Sequence, residues 1–283
     1  MKIIQQKTKT LHTRDNGRSS DAVSPNFIYG CLGGCMSTYC YVGRYNHDKV
    51  YINENFMQIL GSVEKWLDKQ PWPKTPNQTD PTYYTIDIGC STDVALMSKH
   101  YDWSIVFDYF NKHPRAKSTF ATKYPTMFDP KKYELVRDKH RIRVSLMPQK
   151  YSDTLEPHTD LISDRIASIP RLQERMEVHI NFSPIIYTHG WLDEYRRLFA
   201  ELKAAGVDVK SECIFLTYNN ISKERASAPV NDLLWRPDIQ EKKDSHYAPD
   251  NIRYKWWLKK KMIQDFTNLY SEFFNPGGIR YIF

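Results

Sequence analysis

No run of about 18 consecutive apolar residues occurs in the 283-residue chain, which argues against a transmembrane helix. The opening stretch MKIIQQKTKTLHTRDNGRSSD lacks the apolar centre of a secretory leader, so a cytoplasmic location without membrane contact is expected. No segment repeats and no tract is of low complexity, which excludes solenoids and fibrous arrays. Cysteine is sparse: five residues are too few to staple a chain of this length, and no Cys-x2-Cys pair occurs. Acids are outnumbered, 33 Asp and Glu against 40 Lys and Arg, giving a net charge of +7. That balance permits a polyanionic partner and by itself does not require one.

The apolar share of 41% and charged share of 26% are those of a globular protein able to bury a sizeable core. Strand-like stretches, aromatic and β-branched between turn residues, fall at 25–30, 83–90, 118–124, 141–147, 177–186 and 208–218. Helical periodicity fills 54–69, 103–113, 129–139, 162–175, 191–205 and 251–274. Strands and helices in alternation imply a parallel sheet with right-handed crossovers. Six strand–helix units are too few for an eight-stranded barrel, so a partial barrel or an open doubly wound sheet is expected. Residues 69–84 read as a proline-rich loop, and 222–251 as an irregular polar insertion facing solvent or substrate. Within a single domain overall, residues 1–24 form an N-terminal extension, 25–220 the α/β body, and 221–283 a C-terminal segment packed on it.

Three of the five cysteines, Cys31, Cys35 and Cys40, lie within GCLGGCMSTYCYVGR (30–44), just after the first expected strand. The end of a parallel sheet where its strands finish is where such folds place their chemistry. Three thiolates suit a [4Fe–4S] cluster with one iron lacking a protein ligand. They also suit zinc, for which His47 is the nearest fourth ligand, and a redox role without metal remains open. Cys213, mid-strand in KSECIFLTY, reads as core.

The loop resembles that of radical S-adenosylmethionine enzymes, whose motif is Cys-x3-Cys-x2-Cys with an aromatic before the last cysteine. Here the second gap has four residues, so TYCYV aligns if Met36 and Ser37 are an insertion. Further strings in order resemble the spore photoproduct lyases: GCSTDVALMSKH, FATKY, RIRVSLMP, LEPHTDLISDRIASI, INFSPIIYTHGWLDEYRRLF and RYKWWLKKK. The likeness runs from about residue 26 to the end and is strongest over 141–199.

That resemblance implies a partial (β/α)6 barrel of the radical S-adenosylmethionine type with a C-terminal helical, basic extension. It implies a [4Fe–4S] cluster on Cys31, Cys35 and Cys40, with S-adenosylmethionine on the open iron. It also implies repair of a methylene-linked thymine dimer in DNA through a 5′-deoxyadenosyl radical. Cys90 matches the family's hydrogen-atom donor, although a lone cysteine at a strand end is commonly just a small buried residue. Tyr39 and Tyr41 match the paired tyrosines that return the hydrogen atom, where aromatic residues can also simply shield a cluster. Lys123 matches the lysine facing the methionyl carboxylate. Thr92 and Ser145 match hydroxyls at the cofactor, Pro184 offers backbone to the adenine, and Tyr41 borders the cofactor. Glu156 and His158 either line the pocket or cap a turn.

Arg253, Lys255 and Trp256 open a string of five cations and three aromatics suited to phosphates and stacked bases, or to a solvated basic face. The lyases follow this string with a glycine-containing basic hairpin, whereas this chain runs straight into its final helix. A low-potential electron donor of the flavodoxin or ferredoxin type, a DNA substrate and a monomeric state are the partners expected. Two other functions fit less of the pattern: a radical enzyme acting on another nucleic-acid base, and a metal-bearing nucleic-acid-binding protein without turnover.

Overall fold

The computed structural model describes residues 2–40, 49–208, 210–242 and 251–283. Tyr41 and His47 therefore lie outside the described residues. The N-terminal strands are β1 (Lys2–Gln6), β2 (Arg14–Asp15), β3 (Ala22–Val23), β4 (Ile28–Tyr29) and β5 (Lys49–Asn53). Next come β6 (Tyr84–Asp87), β7 (Ala116–Thr122), β8 (His140–Leu146), β9 (Glu177–Ile185) and β10 (Ser211–Phe215). The last are β11 (Thr217–Asn219), β12 (Gln240–Lys242), β13 (Asn251–Tyr254) and β14 (Ile279–Ile282). The helices are α1 (Phe56–Leu67), α2 (Val94–Met97), α3 (Ser104–Lys112), α4 (Gln149–Leu155), α5 (Ile162–Gln173) and α6 (Trp191–Ala204). They end with α7 (Asn220–Arg225), α8 (Ala228–Leu234) and α9 (Trp256–Ser271). Among the described residues no helix is long and apolar enough to cross a membrane.

The largest sheet runs β14-β10-β9-β8-β7-β6-β3-β2, and two small sheets run β1-β5-β4 and β11-β13-β12. In the large sheet β3 pairs β6, β6 pairs β7, β7 pairs β8 and β9 pairs β10, all in parallel. Six successive strands, β3 and β6 to β10, thus match the expected number, but the first is not the stretch expected. Ile28–Tyr29 pairs antiparallel with β5, and the large sheet takes Ala22–Val23 instead.

The chain divides into two compact units. The first comprises Met1–Gly33, Asn46–Val144 and Ser168–His179; the second Gly34–Tyr45, Ser145–Ala167 and Ile180–Phe283. In the first unit, Phe107 meets Phe120, Phe128, Tyr133 and His140 at ring distances of 5.0–6.2 Å. In the second, Phe266 of α9 meets Phe182, Trp191, Tyr195 and Phe199 at 5.2–6.5 Å. Each such ring taken out of water contributes about 1.5–3 kcal/mol, and together they dominate the cohesion of each unit.

Successive side chains of a strand face opposite ways. In β7 and β8 the apolar residues Phe120, Ile142 and Val144 alternate with Lys117, Thr119, Arg141 and Arg143, and nearly all are buried. Burial of so many charges is tolerable only because they pair. Arg141 donates from Nε to Glu177 (2.9 Å), and from Nη2 to Asp80 (3.0 Å). Lys117 bonds both carboxylates, and Lys74 donates to Asp21 at 2.7 Å and to Thr79 at 2.9 Å. Burial alone would raise the Glu177 carboxyl. Its bond to His179 and the charges of Arg141 and Lys117 instead hold it far below the usual carboxylate range.

Three expected elements differ. The helix expected at 129–139 is a pair of short 3-10 turns, at Pro130–Lys132 and Arg137–Lys139. Asn111 holds the chain between them extended, donating to the Glu134 carbonyl (2.6 Å) and accepting from Val136 N–H (2.9 Å). The strand expected over 208–218 breaks at Leu216 into β10 and β11. The helix expected from 251 begins at Trp256, because Asn251–Tyr254 pairs antiparallel with both β11 and β12. An antiparallel ribbon therefore precedes the final helix, and the stretch expected to be irregular contains α7, α8 and β12.

Candidate active site

Within the first unit the two chemically suggestive loops are tied together by their backbones. Gly30, which ends β4 at φ +99°, donates its N–H to the Ser91 carbonyl at 3.1 Å. The residue before Cys31 is thereby bonded to the residue after Cys90. Such a positive φ is open to glycine and strained for other residues. Cys31 is buried, and its Sγ accepts from Gly33 N–H at 3.3 Å.

The Cys90 loop is built on Asp87, whose carboxylate accepts from Gly89 N–H (2.8 Å) and from Arg143 Nη2 (2.5 Å). Gly89 is required there, since a Cβ would lie 2.9 Å from Phe120 Cβ. Burial, and then the negative charge of Asp87, push the half-buried Cys90 thiol up to about 12. The side chain is thus a thiol across the physiological range, retaining the hydrogen that a thiolate would have lost.

Thr92 lies two residues on, and among the described residues its buried hydroxyl has no hydrogen-bond partner. Asp93 then caps α2 by accepting from Leu96 N–H (3.1 Å), and also accepts from Thr122 Oγ1 and Lys123 N–H (each 2.8 Å). One buried carboxylate therefore joins the loops after β6 and β7, bringing Thr92 and Lys123 to either side of it.

Within the second unit, Gly34–Ser37 forms a 3-10 turn carrying Cys35. Tyr39 donates its phenolic hydrogen to Glu156 Oε1. Glu156 is buried and ion-paired with Arg165 at 2.7 Å; Arg165 also donates to the carbonyl of Ser145 at 2.8 Å. Glu156 therefore does not line a pocket as an open carboxylate, while His158 is exposed at φ +60°. Ser145 and Pro184 are buried in β8 and β9. Cys213 is fully buried in β10, as expected of core.

The C-terminal cations are more engaged than the sequence suggests. Arg253 Nε donates to Glu241 at 3.2 Å, and Lys255 Nζ to the Asp238 carbonyl at 2.8 Å. Trp256 is open, 69% exposed, with Lys260 Nζ 5.3 Å from its ring.

The first unit thus brings Cys31, Cys90, Thr92 and Lys123 into one linked set of loops, and the second joins Tyr39 to Ser145 through Glu156 and Arg165. Arg253, Lys255 and Trp256 form a separate cluster on β13 and the start of α9. Sequence reading missed the Asp87–Arg143 pair beneath Cys90, although the alternation in RIRVS and YTID carried that signal. Cys31 belongs to the first unit, and Cys35 and Cys40 to the second. Among the described residues no three His, Cys, Asp or Glu side chains gather at one metal position. The fit to an iron–sulfur cluster and its adenosyl ligand rests on the donor chemistry: three thiols on one loop, and a buried Thr92 hydroxyl that is unpartnered among the described residues.

A family model described as spore photoproduct lyase matches residues 3–282. A spore photoproduct lyase of Bacillus subtilis (strain 168) is 24% identical over 257 residues, covering 88% of this chain and 68% of that protein. A solved spore photoproduct lyase double mutant with bound AdoMet and dinucleoside spore photoproduct superposes with a TM-score of 0.81 at 16% identity. The superposition covers 99% of this chain and 82% of that one. A spore photoproduct lyase complexed with the dinucleoside spore photoproduct alone gives the same TM-score and coverage. The fold is thus the α/β, partial-barrel fold of the radical S-adenosylmethionine type. The chain belongs to the spore photoproduct lyase family and is a radical S-adenosylmethionine lyase of the DNA-repair type, working with a [4Fe–4S] cluster and S-adenosylmethionine.

Proposed function

We propose that this enzyme repairs the methylene-linked thymine dimer in DNA, with Cys90 as the hydrogen-atom donor that completes the reaction. The observation that carries this reading is the Cys90 loop. It is bonded through Ser91 to the residue before Cys31, and it bears a thiol that stays protonated. Cys31, Cys35 and Cys40 would hold the cluster. When bound, S-adenosylmethionine supplies the adenosyl radical that takes hydrogen from the lesion.

Every later step belongs to the chain's own residues. Cys90 gives its hydrogen atom to the thymine carbon radical left after the bridge fragments: the S–H bond breaks, a C–H bond forms, and sulfur keeps the unpaired electron. Tyr39 and Tyr41 would relay the radical from sulfur back toward the cofactor: hydrogen atoms pass through their O–H groups to Cys90, whose S–H bond re-forms, and the hydrogen first taken from the lesion makes up the difference. Lys123 pairs with the methionyl carboxylate, Thr92 and Ser145 offer hydroxyls, and Pro184 presents backbone to the adenine. Arg253, Lys255 and Trp256 contact the DNA, supported by the exposed indole of Trp256 beside Lys260. The segment 221–283 carries these contacts. The working form is a cytoplasmic monomer reduced by a flavodoxin- or ferredoxin-type donor.

An anaerobic assay tests the reading, with reconstituted enzyme, S-adenosylmethionine, dithionite and DNA bearing the dimer. Restored thymines with little net 5′-deoxyadenosine are expected. Cofactor cleavage without restored thymine would overturn the substrate and direct attention to another nucleic-acid base.

A further inference from the structure

The four-residue gap between Cys35 and Cys40 leaves more chain to order than a Cys-x2-Cys spacing does, an entropic cost that contacts to the loop must offset. Residues 155–157 meet the cysteine loop at three points, two of them within that gap. Gly34 lies against the Pro157 carbonyl so closely that a Cβ there would sit 1.8 Å from the oxygen. Thr38 N–H donates to the Cys35 carbonyl at 3.2 Å, closing the turn. Its hydroxyl lies between the carbonyls of Cys35 (2.8 Å) and Leu155 (2.6 Å). Tyr39 donates to Glu156 Oε1.

The anchor behind these contacts is buried and multiply bonded. Glu156 Oε2 accepts from Arg165 Nη1 at 2.7 Å, and neither side chain is exposed. Arg165 is held further by the carbonyls of Ser145 (2.8 Å) and Asp160 (2.9 Å) and by Thr159 Oγ1 (2.6 Å). A charge-assisted bond to a fully buried, paired carboxylate is a stronger tether than one to a solvated group.

We propose that Glu156, backed by Arg165, is a positioning residue that docks the enlarged cysteine loop and holds Cys35 and Cys40 ready to receive the iron–sulfur cluster. Tyr39, immediately before Cys40, meets Glu156 itself, and Thr38 meets the carbonyl of the adjoining Leu155, so the docking bears directly on where that sulfur stands. This inference rests on the assignment of Cys31, Cys35 and Cys40 as cluster ligands.

The test uses the full chain after anaerobic reconstitution and reads iron and sulfide per chain, together with the rate at which a chelator removes the iron. Tyr39→Phe deletes the loop's side of the Glu156 contact and Thr38→Val that of the neighbouring Leu155 contact, and both leave the Glu156–Arg165 pair whole; Glu156→Gln keeps the volume and removes the charge. Each variant is expected to lose iron roughly five- to tenfold faster than the parent, the effect of about one net hydrogen bond. Tyr39→Phe combined with Glu156→Gln is expected to lose it no faster than the worse single variant, since both act on the same Tyr39–Glu156 contact, one by deleting it and the other by removing its charge. If Glu156→Gln does not fold, the two loop-side variants decide. Parental rates in Thr38→Val and Tyr39→Phe, with the parent fully loaded, would overturn the docking role. A parent that takes up no iron would overturn the ligand assignment itself, and the docking role with it.

Discussion

Cys90 shows how far a single residue's surroundings define its chemistry. An ordinary thiol is half ionised near pH 8.5, and a thiolate has no hydrogen atom to give. Burial and the nearby Asp87 carboxylate move that midpoint up to about 12. Asp87 in turn is held by Arg143 and by the N–H of Gly89. Alkylation of Cys90 by iodoacetamide, followed by mass spectrometry of its peptide, is therefore expected to quicken about tenfold per pH unit from 7 to 10 without levelling off. A plateau near pH 9 would mean that the thiol is ordinary. The sequence made Cys90 legible as a candidate through the CSTD string. It did not reveal the pair beneath, because Asp87 and Arg143 lie 56 residues apart and meet only when their strands are aligned.

Elements were legible where local pattern and packing agree. Helix α6 was read almost to the residue, because Trp191, Tyr195, Leu198, Phe199 and Leu202 form one buried stripe. The final helix was read as beginning five residues too early, because NIRYK carries no local signal against helix. Its strand character comes from partners at 217–219 and 240–242, which only the tertiary structure supplies. Beginning the helix at Trp256 turns two indoles outward, at 69% and 57% exposure. Exposed tryptophans beside Lys259 and Lys260 suit stacking on unpaired bases with neutralisation of phosphates. Trp256→Ala with Trp257→Ala is expected to weaken binding of a single-stranded oligonucleotide by at least tenfold in a fluorescence titration, with the far-ultraviolet circular dichroism unchanged. Unaltered affinity would assign the pair to another role.

At the scale of the molecule, the cost of its charged interior should appear as sensitivity to acid. The six-strand count was legible because Phe120, Ile142, Val144 and Phe182 mark buried strands. The polar residues between them read only as alternation, and their pairing into Lys74–Asp21 and Lys117–Asp80–Arg141–Glu177 needed the register. Two kinds of group then respond to acid with the same sign. His140 is pushed down to about 3 by burial and the nearby lysines, and it sits neutral between Ser118 Oγ (2.8 Å) and Asn111 Oδ1 (2.7 Å). Its unfolded form binds a proton below about pH 6.5 while the folded form does not, so its stabilisation is complete above that pH and declines as pH falls toward 3. Burial likewise lowers His113, with Glu64 opposing the shift. Asp21, Asp80 and Glu177 resist burial through their partners and end below their ordinary values. Their contribution is present above about pH 4 and is lost as pH falls below it. Urea unfolding of the metal-free chain should therefore show stability that is flat above pH 7. It should fall by about 1.4 kcal/mol per pH unit on account of His140 between pH 6.5 and 4.5, with His113 adding in the same direction, then more steeply once the carboxylates join. His140→Gln keeps hydrogen-bonding capacity toward Ser118 and Asn111 without the titration, so it should flatten the upper limb and leave the steep lower limb in place. A stability that does not change between pH 7 and 5 in the parent would mean that His140 is not held neutral, and that the packing of Phe107 against its ring at 5.1 Å does not exclude water.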